Sequence, residues 1–205
     1  MVGHAEMKAL ADWCAENGVR LISDEIYHGI VYEGDTVSAV EVSDEAIVVN
    51  SFSKYFSMTG WRVGWLVVPQ ELVRPIERLT QNFFISVPTL SQHAALAAFE
   101  GRDELDGHVR RYRRNRDLLL VGLPEAGFDR FAPAEGAFYL YCDVAHLTND
   151  SRDFCKRMLA EAGVATTPGV DFDRARGAGT LRISFAGSTA EMEEAVRRLK
   201  AWRRA

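Results

Sequence analysis

The chain has 205 residues, 47% apolar and 26% charged, an ordinary composition for a globular protein with room for one large domain or two small ones. A net charge of -5 gives no electrostatic reason to bind nucleic acid or an anionic membrane, and no apolar run approaches the ~20 residues a membrane helix needs. Three cysteines, Cys14, Cys142 and Cys155, suggest neither a disulfide framework nor a zinc site, which fits a reducing cytoplasm, and the five histidines show no paired metal spacing.

Glu6 to Asn17 reads as a helix with Leu10, Trp13 and Cys14 on one face and Gly18 as its C-cap. Val19 to Ile22 is a short strand that breaks at Ser23-Asp24-Glu25. The β-branched run Ala46 to Val49 suits a buried strand, and it runs into the polar turn Asn50-Ser51-Phe52-Ser53-Lys54. About twenty residues separate these strands, enough for the crossover that parallel neighbours need. Asp24 and Lys54 would then lie at the same edge of one sheet. A third strand, Arg62 to Val68, follows closely enough for an antiparallel return, and Pro69 stops it.

Pro75 to Phe83 and Leu90 to about Leu120 read as helices separated by Pro88, and the run Arg110-Arg111-Tyr112-Arg113-Arg114 is a solvated face of the second. The last third alternates differently. Phe128 to Ala132, Ala137 to Asp143, Val164 to Thr167 and Thr180 to Phe185 are strands, Asp153 to Ala162 is an amphipathic helix, and Ser188 or Thr189 caps a closing helix. This pattern predicts an α/β chain of two domains, residues 1–114 and 115–205, with the boundary inside the long helix.

Ser51, Ser53, Lys54 and Arg62 place two hydroxyls, an amine and a guanidinium within twelve residues at the carboxyl end of a strand. Open α/β sheets bind ligands there, and this set could hold a phosphate and offer a nucleophilic nitrogen. Taken alone, Ser-x-Ser-Lys reads first as a solvated turn between strands. Asp24 alone is a helix cap or loop carboxylate, Tyr27 a packed aromatic, and Arg182 an edge-strand arginine facing solvent, although it interrupts an apolar run where arginine is seldom buried without a partner.

The string SFSKYFSMTGWRVGW resembles the lysine segment of the class I/II aminotransferases, fold-type I enzymes that use pyridoxal 5'-phosphate (PLP). That family carries Ser-x-Ser/Ala-Lys followed eight residues later by arginine in a Gly-Trp-Arg-x-Gly context, here Ser51, Lys54 and Arg62 with Gly60, Trp61 and Gly64. ISDEIYHGIVY and LRIS are similar to two further family segments.

The resemblance implies that Lys54 forms the Schiff base and then serves as general base. It implies that Asp24 pairs with the pyridine nitrogen, that Tyr27 hydrogen-bonds the ring's phenolic oxygen, that Ser51, Arg62 and Ser53 hold the phosphate, and that Arg182 binds the substrate α-carboxylate. Amino-group transfer from an amino acid to a 2-oxo acid and a homodimer follow from it. A PLP lyase acting on cysteine-S conjugates is the alternative within the fold.

The small-residue phosphate loop, the stacking aromatic and the Asn-Pro-x-Asn-Pro-Thr-Gly segment of the family's N-terminal half do not occur here. The expected fold is therefore a C-terminal portion only, a partial large domain plus a small α+β domain. A partner chain supplying the missing N-terminal half, or a catalytically inactive fragment, belongs to the same expectation. After Pro168-Gly169 the family runs to a phenylalanine followed by glycine. Here Phe172 is followed by Asp173, which leaves the contribution of this loop to the substrate pocket open.

Overall fold

Helix α1 (His4–Glu16) opens the chain and buries Met7, Ala11 and Cys14. Of the face expected from the sequence, only Cys14 is buried, while Leu10 and Trp13 are exposed. The stripe that packs has the same helical spacing but is rotated onto smaller residues, which let the helix approach closely. In this computed structural model, which describes residues 1–204, the chain divides inside its longest helix into a first unit, Met1–Gly107, and a second beginning at His108.

The first unit holds a sheet of three strands, β1 (Ile22–Asp24), β2 (Ile47–Ser51) and β3 (Gly64–Val67), in that spatial order. β1 and β2 are parallel, with Ile22 opposite Ile47 and Asp24 opposite Val49. β2 and β3 are antiparallel, with Ser51 opposite Gly64. β1 begins later than Val19 because the Val19 N–H is spent on the Cys14 carbonyl (2.8 Å) as the helix unwinds. The ladder starts only where the Leu21 carbonyl accepts from Ile47 (2.9 Å). Asp24 is thereby the last residue of the strand.

Three strands are few for a packed domain, yet the sheet has its own core. Met7, Val37, Ala39, Ala46 and Val48 form it, with Leu21 and Val42 packed against them. Much of that cover comes from the irregular 37–46 connection, which a count of strands does not see. Glu25, 4% exposed, pins the connection: its carboxylate accepts from Ser38 Oγ (2.7 Å) and the Ala39 N–H (2.8 Å). By contrast, all four residues of β3 are exposed.

Helix α2 (Gln70–Phe83) starts after Pro69 rather than at Pro75, which sits inside it. The expected single helix from Leu90 is α3 (Thr89–Ala98), a tight turn over Phe99–Gly101, and α4 (Arg102–Gly122). Gly101, a poor helix former, marks the tightening.

The second unit is built on an antiparallel sheet in the order β4 (Arg130–Phe131), β5 (Tyr139–Asp143), β7 (Thr180–Ser184), β6 (Thr167–Pro168). Leu140, Cys142, Leu181 and Ile183 alternate inward onto a core that includes Phe128, Phe154, Met158, Phe185 and Leu199. Helix α5 (Ser151–Arg157) is capped by the Asp150 carboxylate, which accepts from the N–H groups of Arg152 and Asp153. It widens into a π turn over Met158–Ala162 and ends at Gly163 with φ 66. Helix α6 (Thr189–Arg204) begins with a capping box, Ser188 and Glu191 bonding each other's N–H groups. The Ser188 N–H and hydroxyl, both donating to Glu191 Oε2, hold the Glu191 carboxyl below its ordinary value.

Asn115, wholly buried, ties α4 to this corner. Its amide donates to the carbonyls of Phe185 and Gly187 (both 3.0 Å) and accepts from Thr189 Oγ1 (2.8 Å). Asn115→Ala leaves these groups without their partner, so urea unfolding is expected to show a loss of about 3 kcal/mol, against under about 0.5 for the exposed Arg114→Ala.

Candidate functional site

The end of β2 and the turn after it position the candidate lysine. Two hydrogen bonds, each spanning six residues, fix this turn. Thr59 Oγ1 donates to the Ser53 carbonyl (2.6 Å), and the Met58 N–H bonds the Phe52 carbonyl (3.0 Å). Beneath it Phe52 and Met58 are buried against Ala95, with Phe56 and Val63 alongside. The turn closes through Ser57 N–H to the Lys54 carbonyl (3.0 Å).

Among the described residues four non-glycine residues have positive φ, and two of them, Ser57 (φ 56) and Arg62 (φ 52), flank this turn. Left-handed backbone outside glycine costs of order 1 kcal/mol or more and concentrates where the surroundings enforce it. Gly64 is required for the return. A Cβ there would come 2.6 Å from the Asn50 carbonyl oxygen, so a side chain would push β3 off β2.

The hydroxyls of Ser51 and Ser53 lie 2.8 Å apart, and the Ser51 oxygen accepts the Ser53 N–H (3.0 Å) and lies 3.2 Å from the Val63 carbonyl. Ser53 is 8% exposed. Arg62 is exposed, and its guanidinium donates to the Thr59 carbonyl (2.9 Å), across the turn from the serines. The left-handed Arg62 stands two residues before Gly64, the register partner of Ser51, so the fold brings serines and arginine to one end of the β2–β3 pair.

On the other side of β2, the parallel pairing carries Asp24 to the same sheet edge. Its Oδ1 accepts the Ile26 N–H (3.1 Å), which leaves Oδ2 with no partner among the described residues. Tyr27 follows in the loop after β1, and the Lys54 amine stands 5.9 Å from the centre of its ring.

This donor set answers the demands of PLP. It offers an amine for the cofactor's carbonyl, a carboxylate oxygen open to a protonated ring nitrogen, a phenol for the ring oxygen, and two hydroxyls with a guanidinium for phosphate. The structure therefore brings Asp24, Tyr27, Ser51, Ser53, Lys54 and Arg62 to one edge of the first unit's sheet.

Arg182 belongs to the second unit. It lies on β7, which is an interior strand with β5 and β6 on either side, not an edge. Its register partners are Tyr141 and Thr167. The guanidinium stands 4.3 Å from the Phe172 ring centre and 5.3 Å from that of Tyr139. Phe172, whose loop departs from the family pattern, thus covers Arg182 while remaining 50% exposed.

Sequence reasoning missed Tyr55 and Asp106. The Tyr55 hydroxyl donates to Asp106 Oδ1 (2.6 Å). Burial, aided by the Asp106 carboxylate, pushes the phenol up to about 12 from 10.0. Fifty-one residues separate the pair, and no local spacing announces it.

A family model described as "Aminotransferase class I and II" matches residues 2–199. A valine–pyruvate aminotransferase from Mycobacterium tuberculosis is 54% identical over 201 residues, covering 96% of this chain and 52% of its own length. A (5-formylfuran-3-yl)methyl phosphate transaminase from Methanocaldococcus jannaschii is 37% identical, covering 97% of this chain and 54% of its own. A solved structure from Silicibacter pomeroyi superposes with a TM-score of 0.96 at 56% identity, covering 100% of this chain and 55% of that one. The chain spans about half the length of the curated relatives it matches.

These matches correct three expectations. The expectation of a family member's C-terminal portion only is not upheld, because the family model takes in residues 2–199, nearly the whole chain, through both units. The expectation of a partial large domain plus a small one gives way to the family's type I fold, with large-domain and small-domain elements together in the matched residues, over the 55% of the solved chain that this chain covers. A partner chain supplying a missing N-terminal half finds no support in them.

The Tyr55 bond gives a pH prediction. A phenol raised from 10.0 to about 12 is held protonated by the folded state, so its stabilising share is whole below pH 10 and falls as pH rises toward 12. Spectrophotometric titration is expected to show a tyrosinate phase with a midpoint of about 12 that is lost in Tyr55→Phe.

Proposed function

We propose that this chain, which belongs to the class I and II aminotransferase family, carries out PLP-dependent transfer of an amino group from an amino acid to a 2-oxo acid. The observation that carries the reading is the parallel β1–β2 pair. It sets the open oxygen of Asp24 and the Lys54 turn at one sheet edge, with the lysine amine 5.9 Å from the Tyr27 ring centre.

In this reading Lys54 would hold the cofactor through its amine and would be the base that moves the proton at the substrate Cα. Bound PLP supplies the electron sink that makes that proton acidic. Asp24 keeps the ring nitrogen protonated by placing its free oxygen against it, and Tyr27 donates a hydrogen bond to the ring oxygen. Ser51, Ser53 and Arg62 hold the phosphate, the arginine by a two-pronged contact. Arg182 would grip the substrate α-carboxylate in the same manner, its guanidinium standing 5.3 Å from the Tyr139 ring centre and 4.3 Å from that of Phe172.

For the substrate, the 54% identity to a valine–pyruvate aminotransferase supports an aliphatic amino donor with pyruvate as acceptor. The apolar Phe172 beside Arg182 is compatible with that choice.

The test is product analysis with valine, pyruvate and PLP. Formation of alanine and the branched oxo acid is expected, abolished in Lys54→Ala. Pyruvate and ammonia released from a cysteine-S conjugate, with no alanine formed, would contradict transfer. Arg182→Lys keeps the charge but loses the planar fork, and is expected to lower kcat/KM for the amino acid by about 10- to 100-fold. Its PLP absorbance should stay as in the unmodified chain.

A further inference from the structure

Tyr55, next to Lys54, has no part in the cofactor reading, yet its side chain joins three segments. Its hydroxyl reaches Asp106 Oδ1 (2.6 Å), near the start of α4. Its ring lies against Gly29, where a Cβ would come 2.7 Å from Tyr55 Cδ2 and 2.8 Å from Cγ. Gly29 also has φ 93, a conformation closed to side chains, so backbone and space both demand glycine there. The edge of the ring meets Phe56 at 5.1 Å, which belongs to the packing under the lysine turn. Gly29 lies two residues after Tyr27, whose ring faces the Lys54 amine.

Resting on the cofactor reading above, we propose that Tyr55 is a positioning residue for Lys54: the bridge from Gly29 through the Tyr55 ring to Asp106 fixes the lysine amine relative to Tyr27. A lysine stem is flexible, and its amine is only as well placed as the backbone that carries it. Misplacement by about 1 Å at a reacting atom can cost on the order of a hundredfold in rate. The loop bearing Tyr27 and the turn bearing Lys54 have no register between them, since each lies beyond the end of its strand. Tyr55 supplies a link where the sheet has stopped. The phenol stays protonated to about pH 12, so the bond persists across any working pH.

The experiment compares two reactions of one amine on the full chain. PLP is added and trapped with borohydride. A parallel sample is acetylated with acetic anhydride. Both are read at Lys54 by peptide mass spectrometry, with the exposed Lys8 as reference. The ratio of PLP trapping to acetylation at Lys54 is expected to fall about tenfold in Tyr55→Phe and in Asp106→Ala. The double variant is expected to fall no further, because the two residues act as one unit. Asp106→Asn, whose amide oxygen still accepts the phenol, should keep the ratio. The Lys8 ratio should not move in any variant.

An unchanged ratio at Lys54 in a folded Tyr55→Phe overturns the proposal. If Tyr55→Phe does not fold, equal ratios in Asp106→Ala and Asp106→Asn overturn it. A ratio in the unmodified chain no higher at Lys54 than at Lys8 overturns the cofactor reading itself, and the positioning role with it. Because acetylation reads the amine without cofactor, a general change in its accessibility is separated from a loss of aim.

Discussion

The parallel pairing of β1 with β2 is the constraint on which the rest depends. Parallel strands end at the same edge, so residues that leave β1 and β2 leave into the same space. Asp24 is the last residue of one strand, and Lys54 stands three residues past the end of the other. Shifting the ladder by one residue would turn the Asp24 side chain to the opposite face. The register is held by what lies beneath it. Val48 is buried on Met7, Ala39 and Ala46, and Glu25 pins the connection that supplies part of this cover. A buried carboxylate one residue past Asp24 thus serves packing, while Asp24 Oδ2 has no partner among the described residues.

The second constraint is the tightness of the turn between β2 and β3. Two left-handed residues, a glycine that meets a carbonyl oxygen, and paired serine hydroxyls occupy fourteen positions from Ser51 to Gly64. The two left-handed residues go against local preference, and together these features gather polar groups onto one end of a strand pair. Such local strain is tolerated where packing over-determines it, and the cluster of Phe52, Met58 and Ala95 supplies that packing.

Much of the candidate site was legible because its residues are local in sequence. Ser51, Ser53, Lys54 and Arg62 share one turn, and the crossover length between the strands placed Asp24 beside them. Arg182 was legible as a charge inside an apolar run, although its setting was not. It lies on an interior strand under Phe172, and neither strand order nor the reach of a loop can be read from spacing. The Tyr55–Asp106 bond, the Glu25 anchor and the buried Asn115 hub join residues 13 to 74 positions apart, so no window of sequence contains them. Element ends shifted where a backbone group was already committed, as at Val19, or where capping began the helix early, as at Asp150. The strand count misled for a similar reason, since an irregular connection does part of the work of a core layer.

The account turns on one claim, that the sheet edge of the first unit is a PLP cradle built around Lys54. The direct test is the visible absorption spectrum of the purified chain after PLP is added and excess is removed by desalting, for the unmodified protein and Lys54→Ala. The account predicts a retained protein-bound band in the first and none in the second. A chain that keeps no band, or a Lys54→Ala variant that keeps the same one, would contradict it.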